Sequence, residues 1–121
     1  MEKFSVDFYK EADGTKPVGV FIRTLNIKMK AKVVGNLQLL EEYGSMAREP
    51  LSKELEDGIF ELRTIVGTDI VRILYFFDKG RVIMATNGFV KKKQKTPRSE
   101  IELAKKRRRD YHRRKEAGTY E

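Results

Sequence analysis

GIFELRTIVGTDIVRILYFFDKGRVIMATNGFV, residues 58–90, decides the fold. It contains three apolar runs, at 59–65, 70–77 and 81–90, each rich in β-branched and aromatic residues. Gly67-Thr68-Asp69 and Asp78-Lys79-Gly80 separate them. Connections that short cannot carry a crossover, so the runs predict an antiparallel meander. Alternation in the first run puts Phe60 and Leu62 on one face and Glu61 and Arg63 on the other. Arg72, between Val71 and Ile73, must reach a wet face or a partner, because an unpaired buried guanidinium is costly.

Upstream, Phe4, Val6 and Phe8 alternate with polar neighbours and predict a short strand near residues 3–9. Pro17 suits the first turn of a helix to about Leu25, with Val20, Phe21 and Leu25 inward. Asn26 is a natural N-cap for a second helix of about 17 residues closed by Gly44. Ile27, Ala31, Val34, Leu37 and Leu40 are its expected buried stripe, with Lys28, Lys30 and Lys32 on a solvated face or on nucleic acid. Residues 45–57 are expected to be a connection, and Pro50 argues against continuous helix there. Downstream, Thr96-Pro97 reads as a cap and first-turn proline for a helix over about 98–115, with Ile101, Ala104 and Tyr111 as a thin docking stripe. One α+β domain spanning 1–121 is the expected organisation.

The charge is concentrated. Residues 91–115, KKKQKTPRSEIELAKKRRRDYHRRK, hold 13 Lys/Arg against Glu100, Glu102 and Asp110, whereas residues 1–90 hold 13 basic and 13 acidic side chains. The net charge of +8 is therefore local, and nucleic acid is the leading partner, since each cation near a phosphate releases a condensed counterion. With no Cys and only His112, thiolate chemistry and multi-histidine metal sites are excluded. The sequence lacks a secretory leader pattern and a spanning-length apolar run, so the expectation is a cytoplasmic, soluble chain without membrane contact.

LSKELEDGIFELR (51–63), VRILYFF (71–77) and NGFVKKKQKTPRSEIELA (87–104), in that order, resemble the phage-derived Gp49-like branch of the RelE/HigB toxins. The resemblance covers residues 50–111 closely. It implies a RelE-like mixed or antiparallel sheet of about four strands with helices against one face, two helices preceding the meander and a basic helix following it. It implies the toxin of a type II toxin–antitoxin system: a ribosome-dependent mRNA endoribonuclease, needing no cofactor or metal, in which the ribose 2′-hydroxyl attacks the adjacent phosphate. The implied partners are a helix-turn-helix antitoxin, in a complex that can reach a heterotetramer, together with mRNA and the ribosome. A non-catalytic RNA- or DNA-binding protein and a gyrase-poisoning toxin of the same fold are the alternatives.

Such an attack needs a proton acceptor, cations for the phosphorane and a proton donor for the leaving 5′-oxygen. The resemblance matches Lys53 to a loop cation for phosphate stabilisation or proton transfer, with a plain surface lysine as the alternative. It matches Arg63 to a strand arginine whose planar fork can hold two phosphate oxygens, against an ion pair with Glu61 or Glu54. Arg72 matches a recurrent strand cation, against an interior salt bridge. Phe89 matches an aromatic that stacks on a base, against core packing. Lys91 is assigned to the active surface, with Lys92, Lys93 and Lys95 tracking RNA and Gln94 reading a base edge or closing a turn. Arg107, Arg108, Arg109, Arg113 and Arg114 point around much of their helix, which suits delocalised attachment to RNA. Tyr111 and His112 are further catalytic candidates, provided the last helix carries them to the cleft.

Overall fold

The computed structural model describes residues 3–91 and 94–121. Its elements run β1 (Ser5–Phe8), α1 (Pro17–Arg23), α2 (Ile27–Tyr43), a 3-10 turn (Gly44–Met46), β2 (Ser52–Glu56), β3 (Ile59–Val66), β4 (Asp69–Asp78), β5 (Val82–Val90) and α3 (Arg98–Ala117). The expected meander is present as β3-β4-β5, antiparallel throughout. β1 adds to β5 in parallel, so the five-stranded sheet, ordered β1-β5-β4-β3-β2, is mixed. The fifth strand, β2, falls where only a connection was expected. It pairs antiparallel with β3, Lys53 opposite Glu61.

The two faces carry different cores. Val18 and Ile22 of α1 and Met29, Val33, Leu37 and Leu40 of α2 pack on Leu62, Val71, Ile73, Tyr75, Ile83 and Ala85. Ala104 and Tyr111 of α3 pack on Ile59, Leu74, Phe76 and Met84 from the other side. The helices therefore cover both faces, correcting the expectation of one. α3 has a stripe of its own, Ile101-Ala104-Tyr111, that only the free face can bury.

Asn26 does cap α2, its side chain accepting from Met29 N at 2.9 Å, and Gly44 closes it at φ 53°. The rotation of α2 differs from expectation: Ile27 is 87% exposed and Val34 44%, Ala31 is also outward, and the buried stripe is Met29, Val33, Asn36, Leu37 and Leu40. In α1, Val20 is likewise outward, while Val18 and Ile22 fill the core. α1 crosses β5 closely at Gly88, where a Cβ would stand 2.5 Å from the Phe21 ring.

One irregularity positions the site. Between Leu74 and Tyr75 of β4 the pairing with β5 skips from Asn87 to Ala85, leaving Thr86 as an extra residue. A bulge reverses the side-chain parity beyond it. Met84 is on the α3 face before the bulge, and Asn87 and Phe89 are on it afterwards. Strict alternation from Met84, with Thr86 paired in the ladder rather than bulged, would turn Phe89 toward α1.

Candidate functional site

At the N-terminal end of α3 the sheet is only partly covered, leaving an open cleft of about 970 Å³. Lys53 from β2, Arg72 from β4, Phe89 from β5, Lys91 just beyond it, Gln94, Lys95 and Arg98 are among its lining residues. Four strands in sheet order thus each bring a candidate to one face, because Arg63 pairs with Arg72 and Arg72 with Phe89. Arg63 lies beside the cleft wall with one-fifth of its side chain exposed.

At the centre is Glu61, with a fully buried side chain. Its Oε1 accepts from Arg72 Nη1 at 3.0 Å and from the Thr96 hydroxyl at 2.6 Å, and its Oε2 from Arg63 Nη2 at 3.2 Å. Arg72 also donates to Thr96 Oγ1 at 2.7 Å and to the Gln94 carbonyl at 3.1 Å. The ion-pair alternatives for both arginines are therefore realised, yet one carboxylate faces two guanidiniums. The Nε atoms of Arg63 and Arg72 are buried without a hydrogen-bond partner among the described residues. Of the two arginines it is Arg63, one-fifth exposed, that can turn to an acceptor supplied from outside, as a phosphate oxygen can be, whereas Arg72 stays buried.

Lys91 feels this excess of charge. Partial desolvation first, then Arg72 and Arg63, with Lys53 adding, hold its ammonium below the ordinary lysine value against the opposing pull of Glu61. Its Nζ stands 3.5 Å from Gln94 Oε1. Lys53, Gln94 and Lys95 are exposed, and Phe89 is half-buried. Lys92 and Lys93 lie outside the described residues. Thr96 is no helix cap: Pro97 occupies that position, and the Thr96 hydroxyl is turned onto Glu61 and Arg72. Glu61 and Thr96 were missed as site residues. An acid flanked by Phe60 and Leu62 on a strand was the available signal for Glu61.

The remaining candidates are not brought to the cleft. Tyr111 is buried against Phe76 and donates to Asp78 Oδ2 at 2.5 Å, and His112 lies by the same Phe76 ring. Asp78 is about 20 Å from Arg72 along β4, at roughly 3.3 Å per residue. Burial, then the bond to Asp78, raises the Tyr111 hydroxyl above its ordinary value, so it stays a neutral donor. Arg114 is buried: it bonds Asp110 at 2.8 Å and the Lys10 carbonyl, and its guanidinium lies 4.7 Å from the centre of the Tyr120 ring. Arg107 donates to the Thr86 carbonyl at 2.8 Å, Arg108 to the Asp57 carbonyl at 2.5 Å, and Arg113 pairs with Asp110 at 2.5 Å. Of the five, Arg109 is exposed and makes no such bond or pair among the described residues. The expected delocalised cation belt is largely engaged with the protein itself, because the sheet, the β2–β3 turn and Asp110 supply acceptors all around α3.

Fold and cleft together define a small α+β protein that presents cations, with unmet donors behind them, at one open cleft. The model of the phage-derived Gp49-like family matches residues 20–109, and the chain belongs to that family. The matched stretch includes every cleft residue. A comparison with curated proteins gave no match. Among the described residues no helix is long and apolar enough to cross a membrane, and no group of His, Cys, Asp and Glu is placed to hold a metal ion.

Proposed function

We propose that this protein is the toxin of a type II toxin–antitoxin pair in the RelE/HigB line, acting in the cytoplasm as a ribosome-dependent mRNA endoribonuclease. The observation that carries the reading is the gathering of Lys53, Arg72 and Lys91 along one open cleft, with Arg63 held beside it by the buried carboxylate of Glu61. The resemblance to RelE/HigB toxins over residues 50–111 supports it.

In this reading the substrate phosphate sits against Arg63 and Lys53, and Phe89 offers a ring for a base to stack on. Lys91, made more acidic by its neighbours, takes the 2′-hydroxyl proton as a neutral amine. The 2′-oxygen bonds to phosphorus, and the charge that builds on the phosphorane is met by Arg63, whose fork is already oriented by Glu61. The bond from phosphorus to the 5′-oxygen breaks, and that oxygen takes a proton from the Lys53 ammonium, leaving a 2′,3′-cyclic phosphate. Arg72, buried and committed to Glu61, Thr96 and Gln94, acts through its charge rather than by touching RNA. Lys95 and Gln94 at the rim follow the strand. A helix-turn-helix antitoxin, in a complex up to a heterotetramer, would neutralise the protein by offering acidic groups to this face or by blocking the cleft.

The test is purified protein with translating ribosomes, reading mRNA ends. New ends carrying a cyclic phosphate or its 3′-phosphate product support the reading. RNA binding without cleavage, with or without ribosomes, would move the protein to the non-catalytic class, and inhibited DNA topoisomerase would move it to the gyrase poisons.

A further inference from the structure

A buried ion pair is a poor way to stabilise a sheet: desolvation offsets most of its attraction, and an apolar replacement of similar volume is often as stable. Glu61 and Arg72 nevertheless occupy the best-buried positions beneath the cleft, at 0% and 2% exposure, with Arg63 alongside. What they hold is the 94–97 stretch, which follows Lys91 and leads into α3. The Thr96 hydroxyl donates to Glu61 and accepts from Arg72, while the Gln94 carbonyl accepts from the same guanidinium. The segment is thus pinned over β3 and β4 by polar bonds that converge on one carboxylate. Ahead of it, the Lys91 backbone N–H is fixed to the Ile70 carbonyl at 2.7 Å.

We infer that Glu61 and Thr96 form a latch of positioning residues: Thr96 holds the 94–97 segment down over β3 and β4, with Gln94 against Lys91, and Glu61 both anchors that hydroxyl and sets the aim of Arg63. The inference rests on the ribonuclease reading for its catalytic consequence, but not for its electrostatic one. Lys91 faces Lys53 and Glu56 from β2, Glu61 and Arg63 from β3, and Arg72 from β4. Lys95, and Arg98 and Glu100 of α3, line the same cleft. Glu56 and Arg98 are already paired with each other at 2.7 Å, and Glu100 with Asn87 at 2.9 Å. Glu61 is therefore the acid placed to oppose the cations around Lys91, and neutralising it removes a charge that favours the ammonium.

Two readouts test the latch. The first follows the side-chain carbon resonance of Lys91 through a pH titration of the folded protein, without substrate. In Glu61→Gln its midpoint should fall below that of the parent, and in Thr96→Val the amides of Glu100 and Ile101, which bond the Pro97 carbonyl, should lose protection from hydrogen exchange. The second follows single-turnover cleavage on ribosomes against pH. Glu61→Gln should move the rising limb of the profile to lower pH. Thr96→Val should lower the saturated rate on the order of tenfold or more with unchanged ribosome affinity, and Thr96→Ser should restore it, as misplacement of a reacting group costs rate rather than binding. An unmoved Lys91 midpoint in Glu61→Gln, together with parental protection and rate in Thr96→Val, would overturn the latch. If Glu61→Gln does not fold, the two Thr96 variants decide through protection and rate. A parent that cleaves nothing while Lys91 still shifts in Glu61→Gln would sink the ribonuclease reading and leave the latch standing.

Discussion

α3 spans two ends of one sheet face, and the same residue types behave differently at each. At its C-terminal end, Arg114, Tyr9, Tyr111 and Tyr120 meet Asp110, Asp78 and one another, so that cations, phenols and carboxylates are matched. The Tyr9 hydroxyl bond, followed by the arginine bonds, holds the Asp110 carboxyl below its usual range. At its N-terminal end, one buried carboxylate, Glu61, serves both Arg63 and Arg72 near Lys91, and among the described residues two guanidinium nitrogens find no acceptor. Density of positive charge therefore does not mark the site. A shortage of acceptors does: a matched cluster is finished by folding, whereas an unmatched one remains open to a ligand.

Substitutions at the two ends should separate activity from stability. The largest effect is expected from Lys91→Met, which keeps the stem and removes the amine: saturated cleavage should fall on the order of 10² to 10³, the range of a lost general base, with the melting temperature unchanged. Parental cleavage in that variant would remove Lys91 from the chemistry. Arg114→Ala should do the reverse, costing about 2 to 3 kcal/mol in denaturant unfolding because it removes a buried guanidinium that bonds Asp110 and the Lys10 carbonyl, while cleavage below the transition stays parental. Tyr111→Phe removes one hydroxyl bond and should cost about 1 kcal/mol, again without a change in rate. A loss of turnover in either of the last two would mean that the far end reaches the cleft.

The smallest effect concerns the clamp that ties α3 to the edge of the sheet. Arg98, then Lys105, hold the half-buried Glu56 carboxyl at about 2, against an ordinary 4.5. A depressed carboxylate contributes stability above its unfolded value and loses it as pH falls through the folded one. The melting-temperature difference between the parent and Glu56→Gln should accordingly be small and constant above pH 4.5, shrinking toward zero near pH 2. A difference that grows on acidification would contradict the clamp.

The meander was legible because alternation and two short turns leave little choice for residues 58–90, and the same alternation put Glu61 and Arg63 on one face. The ends of α2 were legible from Asn26 and Gly44, but its rotation was not. Ile27, Ala31 and Val34 form an apolar stripe as regular as the buried one, and only the sheet decides which is covered. β2 was hidden because SKELE shows few apolar residues, its pairing being made by backbone bonds to β3. At the site, Lys53, Arg63, Arg72, Phe89 and Lys91 were named from the sequence, and the structure gathers them at one end of α3. The Thr86 bulge that turns Phe89 toward α3 leaves no mark in composition. How the basic helix shares its charge was hidden for a physical reason: a sequence counts cations, but the carbonyls of Lys10, Asp57 and Thr86 that engage Arg114, Arg108 and Arg107 come from distant parts of the chain, while Arg109 and Arg113 stay exposed.

The central claim is that the unmatched cations at the N-terminal end of α3 stabilise charge during cleavage, and Arg63 tests it most directly. Cleavage of ribosome-bound mRNA should be measured at saturating protein for the parent and Arg63→Ala, with ribosome affinity measured in parallel. The expected result is a rate lower on the order of 10² to 10³, as for loss of an oriented charge-stabilising donor, with affinity within a few-fold of the parent. Cleavage by a folded Arg63→Ala at the parental saturated rate would contradict the claim.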